Sequence, residues 1–408
     1  MSKVNKDGER LLALLAGRSL ASVDLASAEW QLVVALALQH DVAPWLYSRL
    51  KARFVVPPQS VVEQLREIYL ASAARNMGLF HELGKILCAF QAAGIPVIPL
   101  KGACLAERVY GDIALRPMAD IDLLVRPGDL VQSVSMLRAL GYDSDQPFDP
   151  IAAKTGFQDM PPMSKPGSFP VEVHWTLVTP LCNANLHEDE LEKLWSRATP
   201  GTIAGVEALL LSPTDLLLHL CMHMSVHHRF NGISLRNVID VTEVCRHYES
   251  ELNWTDFAAR ADRWEVAGGV HLALQLATEW TDCAVSSDAL AGLAGAPADD
   301  TMMRWVKHKV LNGTPATLNS QVARLEGSTG AAGKLGAIRD AILLPRAVMA
   351  RIYPAPADSW RIMTYYPVRL KDLFVRYHRV LWKLATRDKE FVADARNEAR
   401  LREYLGWS

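Results

Sequence analysis

The chain has 408 residues, more than one compact domain usually holds, so two or three domains or lobes are expected. With 50% hydrophobic and 22% charged residues it is not a disordered chain, and a net charge of -2 gives no general pull toward nucleic acid or an anionic membrane. Any polyanion binding must therefore be local.

The polar start Met1-Ser2-Lys3-Val4-Asn5-Lys6-Asp7 does not read as a cleavable secretion signal, and no apolar run reaches spanning length, so a cytoplasmic protein is expected. The six cysteines, at 88, 104, 182, 221, 245 and 283, lack any Cys-x-x-Cys spacing. This argues against a zinc cluster and fits buried, reduced thiols.

Residues 9–93 read as helical, with apolar stripes through Leu32, Val33, Leu36 and Leu46, then Leu65, Ile68, Leu79, Leu83, Ile86 and Leu87. Pro57-Pro58 divides the stretch. Gly94-Ile95-Pro96-Val97-Ile98-Pro99-Leu100 follows as a short buried strand, then Lys101-Gly102-Ala103, then a helical stretch from Cys104 to Tyr110. A strand, a tight glycine turn and a helix start together present backbone N–H groups to an anion, and Lys101 adds a mobile charge.

The most informative segment is Arg116-Pro117-Met118-Ala119-Asp120-Ile121-Asp122-Leu123-Leu124-Val125. In a strand the side chains alternate, so Asp120 and Asp122 leave the same face about 7 Å apart. Two like charges lodged in an apolar run call for a cation. A turn that carries two aspartates is the plainer alternative.

Leu130 to Ala139 supplies a second helix, ended by Gly141 near its C′ position. The segment between Tyr142 and Val171 is rich in Pro, Gly, Ser and Asp and long for a structureless connection, which leaves a partly paired hairpin, a substrate flap or a surface excursion. In Val171-Glu172-Val173-His174-Trp175, Glu172 and His174 share one face. If this strand lies beside the aspartate strand, Glu172 becomes a third carboxylate; otherwise it is a solvated strand residue. Three carboxylates can bind two Mg²⁺ ions, the equipment of nucleotidyl transfer.

From 186 to about 285 the chain reads as helical. Asp215, His219, His223 and His227 fall at four-residue intervals on one helical face, as packed and hydrogen-bonded histidines or, less in keeping with their apolar neighbours, as metal ligands. Arg236 either pairs with Asp240 one turn on or contacts a substrate phosphate. Small-residue stretches at 291–300 and 327–333 separate further helices. Arg369 to Lys383 forms a basic amphipathic helix, with a solvated face, a partner-binding or membrane-surface face, or a clamp for an acidic substrate as its possible uses.

The pattern Leu100-Lys101-Gly102, Tyr110-Gly111-Asp112, Arg116, Asp120-Ile121-Asp122-Leu123-Leu124-Val125 and Glu172-Val173-His174-Trp175 resembles the bacterial family of uncharacterised nucleotidyltransferases, a branch of the DNA polymerase beta-like superfamily. The likeness extends from Trp30 and His40-Asp41-Val42-Ala43-Pro44 to Leu235-Arg236-Asn237-Val238-Ile239-Asp240. It implies an α+β fold: a small mixed sheet in the order strand, helix, strand, helix, strand, flanked by helical regions. The expected divisions are 1–93 helical, 94–182 nucleotidyltransferase core, 183–285 helical and 286–408 helical.

The resemblance further implies metal binding and catalysis by Asp120, Asp122 and Glu172, and phosphate contacts from Lys101, Gly102 and Arg116; His174, beside Glu172 on its strand face, and Arg236 are further expected nucleotide contacts. Mg²⁺ or Mn²⁺ would be the cofactor, an NTP the donor with ATP the first expectation, and the acceptor a small molecule, peptide or protein. One departure stands out, since the wider superfamily usually carries Gly-Ser where Lys101-Gly102 stands here. Lysine replaces the hydroxyl's contact with phosphate by charge, with less directional control. The alternative from another class is an inactive nucleotide-binding or protein-interaction scaffold, with a partner protein on the C-terminal basic helix.

Overall fold

The run Ile121-Asp122-Leu123-Leu124-Val125 is apolar at every position but one, and such a run needs cover on both faces. The computed structural model describes residues 3–16, 29–51, 57–145, 158–178, 186, 188–281, 283, 285, 287–293, 300–312, 339, 342–385 and 389–406. In it the run is the fully buried middle strand of a three-stranded sheet.

Among the described residues, four helices precede the sheet: α1 (Lys3–Ala16), α2 (Trp30–Gln39), α3 (Ala43–Lys51) and the long α4 (Gln59–Ala92), which begins directly after Pro58. Then come β1 (Val97–Pro99), α5 (Lys101–Cys104) running into a π-helical turn (Leu105–Val109), β2 (Ile121–Val125), α6 (Leu130–Ala139) and β3 (Val171–His174). β1 is antiparallel to β2, pairing Ile98 with Leu124, whereas β3 is parallel to it, pairing Asp122 with Glu172 and Leu124 with His174. This is the mixed sheet and element order expected from the sequence.

Alternation then sorts the two faces. Ile121, Leu123, Val125, Val171 and Val173 join one apolar cluster with Leu79, Leu83, Ile86, Leu87 and Phe90 of α4 and Leu130, Val134 and Leu137 of α6. The α4 residues recur at helical spacing, so a single stripe of that helix underlies the sheet. The opposite face carries Leu124 into a second, larger cluster and leaves Asp122, Glu172 and His174 as its polar part. Burying five apolar strand residues at about 1.5–3 kcal/mol each fixes the register, since a slip by one residue would turn them outward and drive Asp122 into the core.

α4 also carries polar groups that fix the approach to β2. Ser72 Oγ donates to Ala114 O (2.8 Å), Arg75 Nε to Met118 O (2.9 Å), and Asn76 Nδ2 to Arg116 O (2.9 Å) and to Ile113 O. Asp112 caps the 3₁₀ turn Ile113–Leu115 and accepts from Tyr69 OH at 2.7 Å.

Among the described residues after the sheet come α7 (Glu188–Arg197), β4 (Thr199–Ile203), β5 (Val206–Leu210), α8 (Pro213–Met222) extended by a π-helical turn (His223–His227), α9 (Leu235–His247), α10 (Trp254–Arg263) and α11 (Ala267–Trp280). The β4–β5 hairpin corrects the reading of 186–285 as helical throughout. Its two-residue turn, Ala204-Gly205, has both residues at positive φ, and a Cβ on Gly201 would meet Leu210 across the pair. Ile203 and Leu210 dock on the α4 and sheet cluster.

α8 is buried from Thr214 to Met222. Asp215, one of the four polar residues in register on this helix, is used structurally: Arg197 grips it with two bonds of 2.9 Å and Arg260 with one of 2.7 Å. Beyond follow α12 (Ser287–Gly292), α13 (Asp300–Asn312), α14 (Arg346–Ile352), α15 (Tyr365–Ala385) and α16 (Lys389–Tyr404), of which α13 and α16 add Trp305, Val306, Phe391 and Leu401 to the larger cluster. The basic helix expected over 369–383 lies within α15, but the side chains of 376–385 lie outside the described residues. So do the stretch 327–333, most of 294–300 and Cys182.

Cys104, Cys221, Cys245 and Cys283 are free and buried as expected, but Cys88 is exposed because it lies on the outer side of α4. Among the described residues no helix is long and apolar enough to cross a membrane.

Candidate active site

The polar end of the sheet opens into a cavity of about 300 Å³. Its lining includes the expected metal and nucleotide residues Lys101, Gly102, Arg116, Asp120, Asp122, Glu172, His174 and Arg236, and His223 and His227 of the histidine series but not Asp215 or His219.

Parallel pairing sets Asp122 and Glu172 side by side, and the period of two along β3 adds His174. His174 Nε2 lies 3.0 Å from Asp122 Oδ1 and 3.8 Å from Glu172 Oε2. One ligand atom from each of Asp122, Glu172 and His174 falls within 4.8 Å of the others, a donor set that fits a divalent cation. Asp120 lines the same cavity immediately before β2, half-buried and outside that close trio. The carboxylate donors supply the negative charge and hard oxygens such a cation requires.

The environment drives the carboxyls apart. Burial pushes Glu172 up to about 7, with the Asp122 charge adding to it. Burial and then the Asp122 charge raise Asp120 as well. Asp122 goes the other way: burial opposes its ionisation, but the Lys101 charge and the His174 contact outweigh it and hold the carboxyl well below the usual range. Lys101 Nζ sits 3.1 Å from Asp122 Oδ1. Such divergence between neighbouring carboxyls marks functional sites more often than structural ones.

Lys101 opens α5 with φ 42°, a left-handed conformation that a non-glycine residue adopts at a cost. The next position, Gly102, is tight for a different reason. A Cβ on Gly102 would stand 2.8 Å from Arg116 Nη1 and 3.1 Å from Met118 Sδ.

Arg116 is buried and bound in a two-pronged pair with Asp240, Nε to Oδ1 at 2.9 Å and Nη2 to Oδ2 at 2.8 Å, while Tyr110 OH donates to the same carboxylate at 2.8 Å. Its Nη1 is the edge turned toward Gly102. With Asp240 so engaged, the pair between Arg236 and Asp240 considered from the sequence does not form. Arg236 instead reaches Pro117 O at 3.1 Å and Asp41 at 3.4 Å.

The far wall is formed by the π-helical turn after α8. Widening to an i→i+5 bond, His228 N to His223 O, brings His228 over His223 with ring centroids 4.5 Å apart. His227 stacks on His223 at 5.5 Å and takes a hydrogen bond on Nδ1 from Gln158 Nε2 at 2.8 Å. Burial, with Lys101 contributing, lowers His227 to about 4, and burial with His227 lowers His228 to about 3. These rings are therefore neutral donors and acceptors at pH 7. His219 departs from the hydrogen-bonded packing expected of it: it is buried, and among the described residues neither ring nitrogen has a partner.

Gln158 is one of the lining residues that sequence reasoning missed, with Asp159 and Asn237. It lies in a segment antiparallel to β3, where Met160 N donates to Val173 O at 2.9 Å and Trp175 N to Gln158 O at 3.0 Å. The described part of the 143–170 connection is thus a partly paired hairpin, and the stretch 146–157, on which the flap reading depends, lies outside the described residues.

A family model described as uncharacterised nucleotidyltransferase matches residues 26–282, a span that contains the whole cavity lining. No curated protein and no solved structure matches the chain.

Proposed function

This chain belongs to the uncharacterised nucleotidyltransferase family, and we propose that it moves a nucleoside monophosphate from an NTP, ATP first among them, to an acceptor hydroxyl or phosphate with release of pyrophosphate. The observation that carries the reading is the register of Asp122 against Glu172 at the mouth of one cavity, with Asp120, Lys101 and Gly102 around it. Asp120, Asp122 and Glu172 would hold Mg²⁺ or Mn²⁺, which when bound neutralises phosphate charge and lowers the pKa of an attacking group.

The chain's own residues divide the remaining work. Lys101 and the turn at Gly102 receive the β- and γ-phosphates, and Arg116 turns Nη1 toward the same turn. Arg236 and His174 complete the polar contacts to the nucleotide. Glu172, beside the reacting groups, accepts the acceptor's proton. Rate enhancement then comes mostly from positioning and charge placement, without a covalent enzyme intermediate. The buried free thiols Cys104, Cys221, Cys245 and Cys283 support a reducing, cytoplasmic setting.

One observation favours the inactive scaffold as second reading. Asp122 Oδ1 already has Lys101 Nζ and His174 Nε2 as partners, so an incoming cation competes for an oxygen in use.

Thermal melts of the full chain with Mg²⁺ or Mn²⁺ and each NTP, alongside pyrophosphate release, separate the two. Metal-dependent stabilisation by an NTP that disappears in Asp120→Asn/Asp122→Asn supports transfer. An NTP that stabilises the chain equally well in EDTA and in that double variant supports the scaffold.

A further inference from the structure

We propose that His174 is itself a ligand to the divalent cation, in a tight set with Asp122 and Glu172 that Asp120 flanks, and that this nitrogen shifts preference from Mg²⁺ toward Mn²⁺. The inference rests on the metal-dependent reading above only in requiring that a divalent cation binds at all.

Backbone geometry makes the trio. Glu172 and His174 share a face because they are two apart on β3, and β3 lies parallel to β2 with Asp122 opposite Glu172 and Leu124 opposite His174. The imidazole therefore sits one pairing step beyond the carboxylates and leans back over them. Its Nε2 ends 3.0 Å from Asp122 Oδ1 and 3.8 Å from Glu172 Oε2. All three donor atoms lie within 4.8 Å of one another, and Asp120 is not among them.

The ring cannot turn away to solvent, since His174 is 3% exposed. Its backbone is fixed from two sides, by the pairing with β2 and by the bridge to Asp159. The nitrogen aimed at the carboxylates is the distal one, a usual metal ligand of histidine. To ligate, the imidazole carries its proton on Nδ1, so that the Nε2 lone pair faces the cation.

Donor chemistry then sets selectivity. Mg²⁺ demands an all-oxygen octahedron and sheds water reluctantly, whereas an imidazole nitrogen is better tolerated by later divalent metals and Mn²⁺ lies at the start of that series. Two carboxylates and one imidazole form a set that Mn²⁺ accepts more readily than Mg²⁺ does. Lys101, at 3.1 Å from Asp122 Oδ1, opposes any cation alike and does not alter the preference.

The test uses the full chain with Mn²⁺ alone. Pulsed electron paramagnetic resonance should show directly coordinated nitrogen coupling in the wild type, lost in His174→Gln and retained in His227→Gln. Mn²⁺ affinity should fall about tenfold or more in His174→Gln and Mg²⁺ affinity by less. Mn²⁺ bound to the wild type without nitrogen coupling overturns the inference and leaves His174 a hydrogen-bond donor that orients Asp122, with the metal-dependent reading intact. Coupling that survives in His174→Gln also overturns it. Absence of any Mn²⁺ binding removes both this inference and the metal-dependent reading. Because the wild-type spectrum is informative by itself, the test does not depend on the variant folding.

Discussion

Asp122 and Glu172 hold the same register position on two adjacent parallel strands, and only one of them is easily charged. Lys101 and His174 stabilise the ionised Asp122, while burial and Asp122 itself oppose ionisation of Glu172. A site of this kind stores an unfavourable negative charge that a cation or an incoming proton relieves.

The first prediction concerns pH and the metal-free protein. Glu172 is raised from 4.5 to about 7, so its contribution is complete below pH 4.5 and is lost as pH rises through 7. Metal-free Glu172→Gln should therefore match the wild type near pH 4.5 and exceed it at pH 8, by on the order of 1–3 kcal/mol. Thermal melts in EDTA across that range measure the difference. A constant offset at all pH values would show that Glu172 titrates normally.

Gly102→Ala should damage the site without touching a charge. The new methyl would press on Arg116 Nη1 and Met118 Sδ, and Arg116 cannot yield freely because Asp240 holds it at two points. Overpacking of this kind costs about 1–3 kcal/mol. Urea denaturation should register that loss, and NTP affinity should drop with it. A variant of unchanged stability would mean that Arg116 relaxes more easily than its pairing suggests.

What was legible in the sequence follows from interaction range. The strands and the faces of their carboxylates could be read because a period of two is local, whereas the pairing of β2 with β3 joins distant segments and stood only as a condition. The histidines on α8 were visible as a four-residue series, but the π-helical turn at His223 that brings in His228 obeys no local rule. Arg116 and Asp240 lie far apart in the chain, so their pairing was hidden and Arg236 was offered the wrong partner. The β4–β5 hairpin escaped because its turn is Ala204-Gly205 and not an Asn-Gly or Asp-Gly pair, and because β4 contains a proline and a glycine and is mostly exposed.

The Arg116–Asp240 pair itself offers a third prediction. Both side chains are almost fully buried, at 7% and 1% exposure, so removing one partner strands the other charge. Arg116→Met and Asp240→Leu should each cost about 3–5 kcal/mol, and the combined Arg116→Met/Asp240→Leu chain should lose much less than the sum. Denaturant midpoints of the four proteins close the cycle. Strict additivity would mean that the two groups do not depend on each other.

The histidine wall is held from behind by the C-terminal helices. Lys309 of α13 is buried, with Nζ 2.6 Å from Glu398 Oε2 of α16 and 2.9 Å from Arg229 O. Arg229 and Phe230, which lead from the π-helical turn toward α9, both have positive φ, so this short link is strained and needs an anchor. Lys309→Met removes the donor to Arg229 O and the cation hydrogen-bonded to buried Glu398, leaving only the Arg229 charge near it, at a cost of about 3–5 kcal/mol. Lys309→Met/Glu398→Leu should recover most of that stability but not the hydrogen bond to Arg229. Faster amide exchange at 227–231 that persists in the stable double variant would show that Lys309 anchors the link directly. Exchange that returns to wild-type rates in the double variant would assign the whole effect to the stranded carboxylate.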